Sequence, residues 1–140
     1  MNYLNCIAVF NKDCTRLLMC VRRKDPYKGL SNLVGGKVEP GEDGMDAAYR
    51  ELCEETSITR EDIKLTHLLD FVYLLDDTTV EVYVGRLNKT IAVCGDENDL
   101  YWSTLDCDFF DMTKYAGEGN IGHMMEHIKM AKDRVLFIEK

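Results

Sequence analysis

The feature that most constrains this chain is a run of charges at fixed spacing, Arg50-Glu51-Leu52-Cys53-Glu54-Glu55. On a helical wheel at about 100° per residue, with Arg50 at zero, Glu54 falls near 40°, Glu51 near 100° and Glu55 near 140°. Ala47 falls at about 60°, so the centre of that face has almost no side-chain bulk. Met45, Ala48, Tyr49, Leu52 and Cys53 occupy roughly 160° to 300°. The spacing predicts a helix over Gly41–Thr56 with one apolar face and one carboxylate face. Carboxylates at i, i+3 and i+4 repel by a few tenths of a kcal/mol per exposed pair. Arg50 alone does not neutralise them. Hard oxygens converging on one spot suit Mg²⁺ or Mn²⁺, and a solvated helix face is the plain alternative. Gly35-Gly36, just before the helix, lets backbone approach the same spot and can lend a carbonyl ligand.

Composition narrows the partners. The 140 residues suit one domain, 1–140, with 46% hydrophobic residues to build a core. The formal charge is 17 − 25 = −8, which argues against coating a nucleic-acid polymer. It does not argue against a small phosphorylated ligand, because a bound divalent metal reverses the local field. The six cysteines contain no C-x-x-C pair and read as reduced thiols of a cytoplasmic protein. Cys6, Cys20 and Cys53 sit in apolar surroundings and are expected in the core. The N-terminus has neither the basic start nor the apolar stretch of a signal peptide. No run approaches the ~18 apolar residues of a membrane span.

Periodicity supplies the other elements. Tyr3–Phe10 and Leu17–Arg22 read as strands joined by a hairpin at Asn11-Lys12-Asp13. Asp25–Asn32 reads as a polar loop and Leu33–Pro40 as a tight turn. Ile63–Leu75 and Thr78–Leu87 read as strands broken at Asp76-Asp77, and Trp102–Leu105 as another. Asn120–Lys132 reads as a helix and Val135–Ile138 as a last strand. Met124, Met125 and Met130 are expected in the core. His123 and His127 have a helical i, i+4 spacing that zinc can use, but no third ligand is evident. This order gives an α+β chain with a mixed sheet, not a regular βαβ repeat.

The segment from Gly36 to Ile58 resembles the Nudix box, G-x5-E-x7-R-E-U-x-E-E-x-G-U, where U is a bulky apolar residue. Gly36, Glu42, Arg50, Glu51, Leu52, Glu54, Glu55 and Ile58 match in register. Ser57 stands where the family has Gly. A left-handed helix cap at a non-Gly residue costs on the order of 1 kcal/mol. Thr59 with Asp62 three residues on can cap a following turn and offset it. The resemblance implies a Nudix α/β/α sandwich with the box as loop–helix–loop. It implies hydrolysis of nucleoside diphosphate derivatives by metal-assisted water attack on phosphorus. Glu51, Glu54 and Glu55 would hold Mg²⁺ (Mn²⁺ is the alternative), with the Gly36 carbonyl completing the site. Arg50 would orient a neighbouring Glu, and Glu42 would brace the loop.

Outside the box the chain is similar to the MutT-type branch, which removes oxidised purine triphosphates. That likeness implies Arg22 on phosphate and Asn32 on the base. Lys37 is a second phosphate candidate or an exposed charge. Glu97, before Trp102, is the candidate extra metal ligand or general base, or part of an acidic surface loop. Trp102 reads as a core or pocket-wall aromatic. Asn120 loosely matches a base-reading Asn, or is a helix N-cap. The Trp-Pro-Asp-Asp reader of animal sanitising enzymes is absent, with Thr113-Lys114-Tyr115-Ala116 in its place. No Pro follows Pro40, where ADP-ribose pyrophosphatases usually carry one beyond the box. Tyr73 lies beyond Ile58, slightly short of the place where dinucleoside polyphosphate hydrolases carry a Tyr. The leading expectation is a Mg²⁺-dependent pyrophosphohydrolase, NTP or dNTP + H2O to NMP + PPi, with 8-oxo-dGTP among the candidates. The alternatives are a hydrolase of a dinucleoside polyphosphate, ADP-ribose or nucleotide sugar, and a non-catalytic nucleotide sensor. The expected partner is a small nucleotide, without nucleic acid or membrane, on a monomer or homodimer.

Overall fold

A computed structural model describes residues 1–93 and 99–136. Its elements are β1 (Asn2–Phe10), β2 (Leu17–Val21), β3 (Ser31–Asn32), α1 (Gly44–Thr56), β4 (Thr66–Tyr73), β5 (Thr78–Arg86), β6 (Asp99–Ser103) and α2 (Asn120–Val135). Six strands form one mixed sheet in the order β3-β2-β1-β5-β4, with β6 paired to β2. The centre is a parallel pair, β1 with β5, in register from Asn2↔Thr78 to Phe10↔Arg86. The alternation of each strand sends its two faces into two cores. One joins Ala8, Phe10, Met19, Val82 and Val84 to the α2 residues Ile121, Met124 and Ile128. The other joins Ile7, Val9, Leu18 and Tyr83 to the α1 residues Ala48 and Leu52. The result is the expected sandwich of helix, mixed sheet and helix. No helix among the described residues is long and apolar enough to cross a membrane.

β1 and β2 pair through Phe10↔Leu17, the end of their hairpin, and β1 then takes a different neighbour. The segment 34–38 runs beside it, bridging Leu4↔Lys37 and Ile7↔Val34. This opening is what brings Gly35 and Gly36 to the sheet. α1 begins later than the periodicity predicts, because Gly41 has φ +79 and Asp43 is the N-cap. The Asp43 carboxylate accepts from the Asp46 N–H at 3.1 Å. At the other end Ser57 adopts the left-handed conformation expected of the missing Gly, φ 68 and ψ 8. Its N–H donates to the Cys53 carbonyl at 2.8 Å. Asp62 accepts from the Thr59 N–H at 2.9 Å, as a cap of the next turn should.

Several expectations are corrected. Cys53 is exposed, because the buried stripe of α1 is Ala47, Ala48, Leu52 and Thr56. Met130 is 73% exposed, off the apolar stripe of α2 that buries Met124 and Met125. Val135 and Leu136 are not a strand: Val135 continues the helical spacing from Ile128 and Ala131, and Leu136 caps the helix. The rest of that expected strand, 137–138, lies outside the described residues. β4 is shorter than the apolar run, since Ile63 bridges Leu87 instead and a bulge interrupts the ladder between His67 and Leu69. The strand expected at Trp102–Leu105 ends at Ser103, because its ladder to β2 closes at Leu17↔Ser103.

Candidate active site

The site is built where the segment 34–42 meets the first half of β1 and the carboxylate face of α1. Three main-chain bonds dock the segment: Val38 N–H to the Tyr3 carbonyl at 2.9 Å, Asn5 N–H to the Gly36 carbonyl at 2.8 Å and Ile7 N–H to the Val34 carbonyl at 2.8 Å. The two glycines have separate steric reasons. A Cβ on Gly35, at φ +150, would collide with the Asn5 carbonyl. A Cβ on Gly36 would collide with the Glu51 carboxylate. Glu51 therefore lies directly against the Gly36 backbone.

Arg50 organises the acids. Its Nε and Nη2 fork onto the Glu42 carboxylate at 2.8 and 3.0 Å. Nη2 also donates to the Lys37 carbonyl at 2.9 Å, which ties the loop to the helix. Nη1 reaches Glu51 at 3.0 Å and Glu54 at 3.2 Å. Planar, two-toothed contacts of this kind are stronger than ordinary hydrogen bonds. Arg50 holds the Glu42 carboxyl below its usual range. The same contacts, that to Glu42 first, raise the Arg50 pKa further. Glu51 is 15% exposed and Glu54 58% exposed, so one carboxylate lines the cleft and the other faces solvent. Glu55 accepts from the Gly35 N–H at 3.5 Å. The structure thus gathers Arg50, Glu51, Glu54 and Glu55 as the spacing predicts, with Gly36 and with Glu42, whose place the resemblance implied.

The donor types fit a hard divalent cation, being carboxylate and carbonyl oxygens throughout. Their arrangement centres on the guanidinium. No three His, Cys, Asp or Glu groups converge at ligand distance among the described residues. His123 and His127 are exposed on α2, and the His123 ring meets Phe110 edge-on. Burial pushes the Cys6 thiol up to about 12 and the Cys20 thiol up to about 11. Neither is a nucleophile at neutral pH.

Of the other expected residues only Lys37 touches the fork, through its carbonyl; the side chains of Arg22, Asn32 and Asn120 bond elsewhere. Arg22 uses Nε to bond the Pro26 carbonyl at 2.8 Å, closing its own loop. Asn32 turns back to accept from the Leu33 N–H at 2.8 Å. Lys37 is exposed and borders a groove of about 710 Å³ shared with Tyr3, Glu39, Glu42 and Glu81. Asn120 is not the N-cap of α2, which is Gly119 in a left-handed conformation. Its amide instead donates to the Tyr73 hydroxyl. Beside this pair, Tyr27 donates to Glu118 at 2.6 Å. Glu97 lies outside the described residues. Asn5, Tyr27 and Glu118 carry no motif, and Asn5 shows only as a polar residue inside an apolar strand.

Comparison with known proteins places the chain in a family and matches its fold. A family model described as the NUDIX domain matches residues 4–118. The chain belongs to the Nudix family, whose hydrolases act on phosphoanhydride bonds and generally use divalent metal ions. An ADP-ribose pyrophosphatase of Methanocaldococcus jannaschii is 29% identical over 126 residues, 90% of this chain and 69% of that protein. The mouse protein nucleoside diphosphate-linked moiety X motif 6 is 29% identical over 114 residues, 78% of this chain but only 34% of its own length. A MutT structure, from work on Aliivibrio salmonicida and Vibrio cholerae, superposes with TM-score 0.71 at 22% identity, covering 92% of this chain and 98% of that one. A Caenorhabditis elegans Ap4A hydrolase does so with TM-score 0.71 at 22% identity, covering 91% and 96%.

Proposed function

We propose that this chain is a Mg²⁺-dependent nucleotide pyrophosphohydrolase, splitting NTP or dNTP with water to NMP and PPi. The observation that carries the reading is the glutamate cluster held by one arginine against the Gly36 backbone. Gly36, Glu51, Glu54 and Glu55 would hold the cation, with Mn²⁺ as substitute. The metal would neutralise the polyphosphate and lower the pKa of a bound water. Arg50 keeps Glu51 and Glu54 in place, and Glu42 fixes Arg50 and the loop. Glu54 is the more exposed of the two and the better placed to take a proton from an entering water. Glu97 is a further proposed base or ligand. Arg22 and Lys37 are proposed for phosphate, and Asn32 and Asn120 for the base. The free state of the described cysteines supports a cytoplasmic setting.

A second reading, cleavage of a dinucleoside polyphosphate, ADP-ribose or nucleotide sugar, has equal support from relatives. The archaeal relative is an ADP-ribose pyrophosphatase and one structural neighbour an Ap4A hydrolase. A sensor that cleaves nothing is disfavoured because every box carboxylate is present.

The test is a Mg²⁺-dependent panel of dNTPs, NTPs, 8-oxo-dGTP, ADP-ribose and a dinucleoside tetraphosphate, with products resolved by chromatography. PPi with NMP from one dominant triphosphate is the expected result. Two phosphorylated fragments from a conjugate, with triphosphates inert, would select the second reading. Glu54→Gln should cut kcat by at least about a hundredfold while circular dichroism stays unchanged. A retained kcat would remove Glu54 from the mechanism.

A further inference from the structure

We propose that Asn5 is a positioning residue for the Gly36 carbonyl as a ligand to a divalent cation, an inference that rests on the metal site proposed above. Asn5 lies in β1 between Leu4 and Cys6, and it is 3% exposed. It holds Gly36 at both its N–H and its carbonyl. Its main-chain N–H donates to the Gly36 carbonyl at 2.8 Å. Its side-chain Oδ1 accepts from the Gly36 N–H at 2.8 Å. In a regular antiparallel ladder this second bond would run to the main-chain carbonyl of Asn5. Here the carboxamide takes that bond.

The other half of the carboxamide shows what the residue costs. Asn5 Nδ2 is buried and has no hydrogen-bond partner, the one such side-chain atom among the described residues. Burying an unpaired amide is unfavourable, and an apolar residue would serve a strand interior better. The bond this side chain does make, among the described residues, is to Gly36. Its benefit is therefore local to the glycine turn.

That turn needs restraint. Two successive glycines rotate freely unless something holds them. Gly36 is pinned by Asn5 and bounded by the Glu51 carboxylate, and the next carbonyl, of Lys37, is held by Arg50. A carbonyl oxygen has two lone pairs, and the Asn5 N–H uses one. The second is available to a cation. Fixing a ligand through a neighbour typically changes metal affinity by about ten- to a hundredfold.

The experiment is a Mn²⁺ titration followed by the electron paramagnetic resonance of free Mn²⁺, on the unmodified protein, Asn5→Ala and Asn5→Val. Valine suits the strand, so it should keep or raise the thermal midpoint while abolishing the side-chain bond. We expect the Mn²⁺ Kd to rise about tenfold or more in both variants. An unchanged Kd in a folded variant would overturn the inference while leaving the metal site intact. Failure of both variants to fold would make Asn5 a fold residue and overturn it too. No Mn²⁺ binding by the unmodified protein would overturn the metal-site reading itself, and this inference with it.

Discussion

The Arg50 fork and the Tyr73–Asn120 cluster are both polar assemblies, but they are wired differently. In the fork, Arg50 meets Glu42 eight positions away, Glu54 four away and Glu51 next door. In the cluster, Asn120 meets Tyr73 across 47 positions, and Tyr27 meets Glu118 across 91. The fork joins full charges in a planar geometry, whereas the Tyr73–Asn120 contact is a single neutral bond. The difference separates two jobs. A charge cluster set by one helix and one loop is a rigid base for chemistry. A neutral contact set by distant elements is cheaper to exchange, in keeping with the base-contacting role proposed for Asn120.

Three changes test that contrast, beginning with the largest effect. Asn120→Ala should raise KM for the preferred substrate by roughly two- to tenfold, the worth of one neutral hydrogen bond, with kcat little changed. A fall in kcat with KM constant would place Asn120 with the chemistry instead. Glu42→Gln addresses the fork. Hydrogen bonds from Arg50 hold the Glu42 carboxyl below its ordinary 4.5, so the folded state binds its proton less readily than the unfolded chain. Its contribution is present above about pH 4.5 and is lost as the pH falls through the lowered folded value. Thermal midpoints of the two proteins should therefore differ at neutral pH and converge in acid. Curves that stay parallel would show that the pair contributes nothing. The smallest effect is expected of Ser57→Gly, which relieves a left-handed non-Gly cap worth about 1 kcal/mol at most and should raise Tm by a few degrees. A lower Tm would mean that the extra freedom of the unfolded glycine outweighs the relief.

The same contrast explains what is legible in the sequence. Glu42, Arg50, Glu51, Glu54 and Glu55 lie on one helix and the loop before it, so local geometry brings them together, whereas Gly36 also needs its docking on β1. The αL cap at Ser57 follows from its position after the last helical residue. Asn5 is not legible, because its role depends on register: β1 and the segment 34–38 must be paired before residue 5 stands opposite residue 36. The capping preference of Asn points to Asn120, but Gly119, with φ +89, ends the preceding turn one position earlier and takes the N-cap of α2. The exposure of Cys53 reflects a similar limit, since a wheel places a side chain on a face but not the width of the surface that covers it.

The central pair of the sheet sets a timetable for synthesis. β1 is in register with β5 from Asn2↔Thr78, so more than half of the chain is made between the two partners. At about 5–20 residues per second, the first strand waits roughly 4–15 s for its parallel partner. The 34–38 segment is made well before β5 and meets β1 at Ile7↔Val34, a much shorter span of chain. The glycine turn thus has its docking strand long before either core can close. The apolar run Ile7-Ala8-Val9-Phe10 meanwhile keeps its β5-side edge unpaired, which makes the half-made chain the stage most exposed to aggregation.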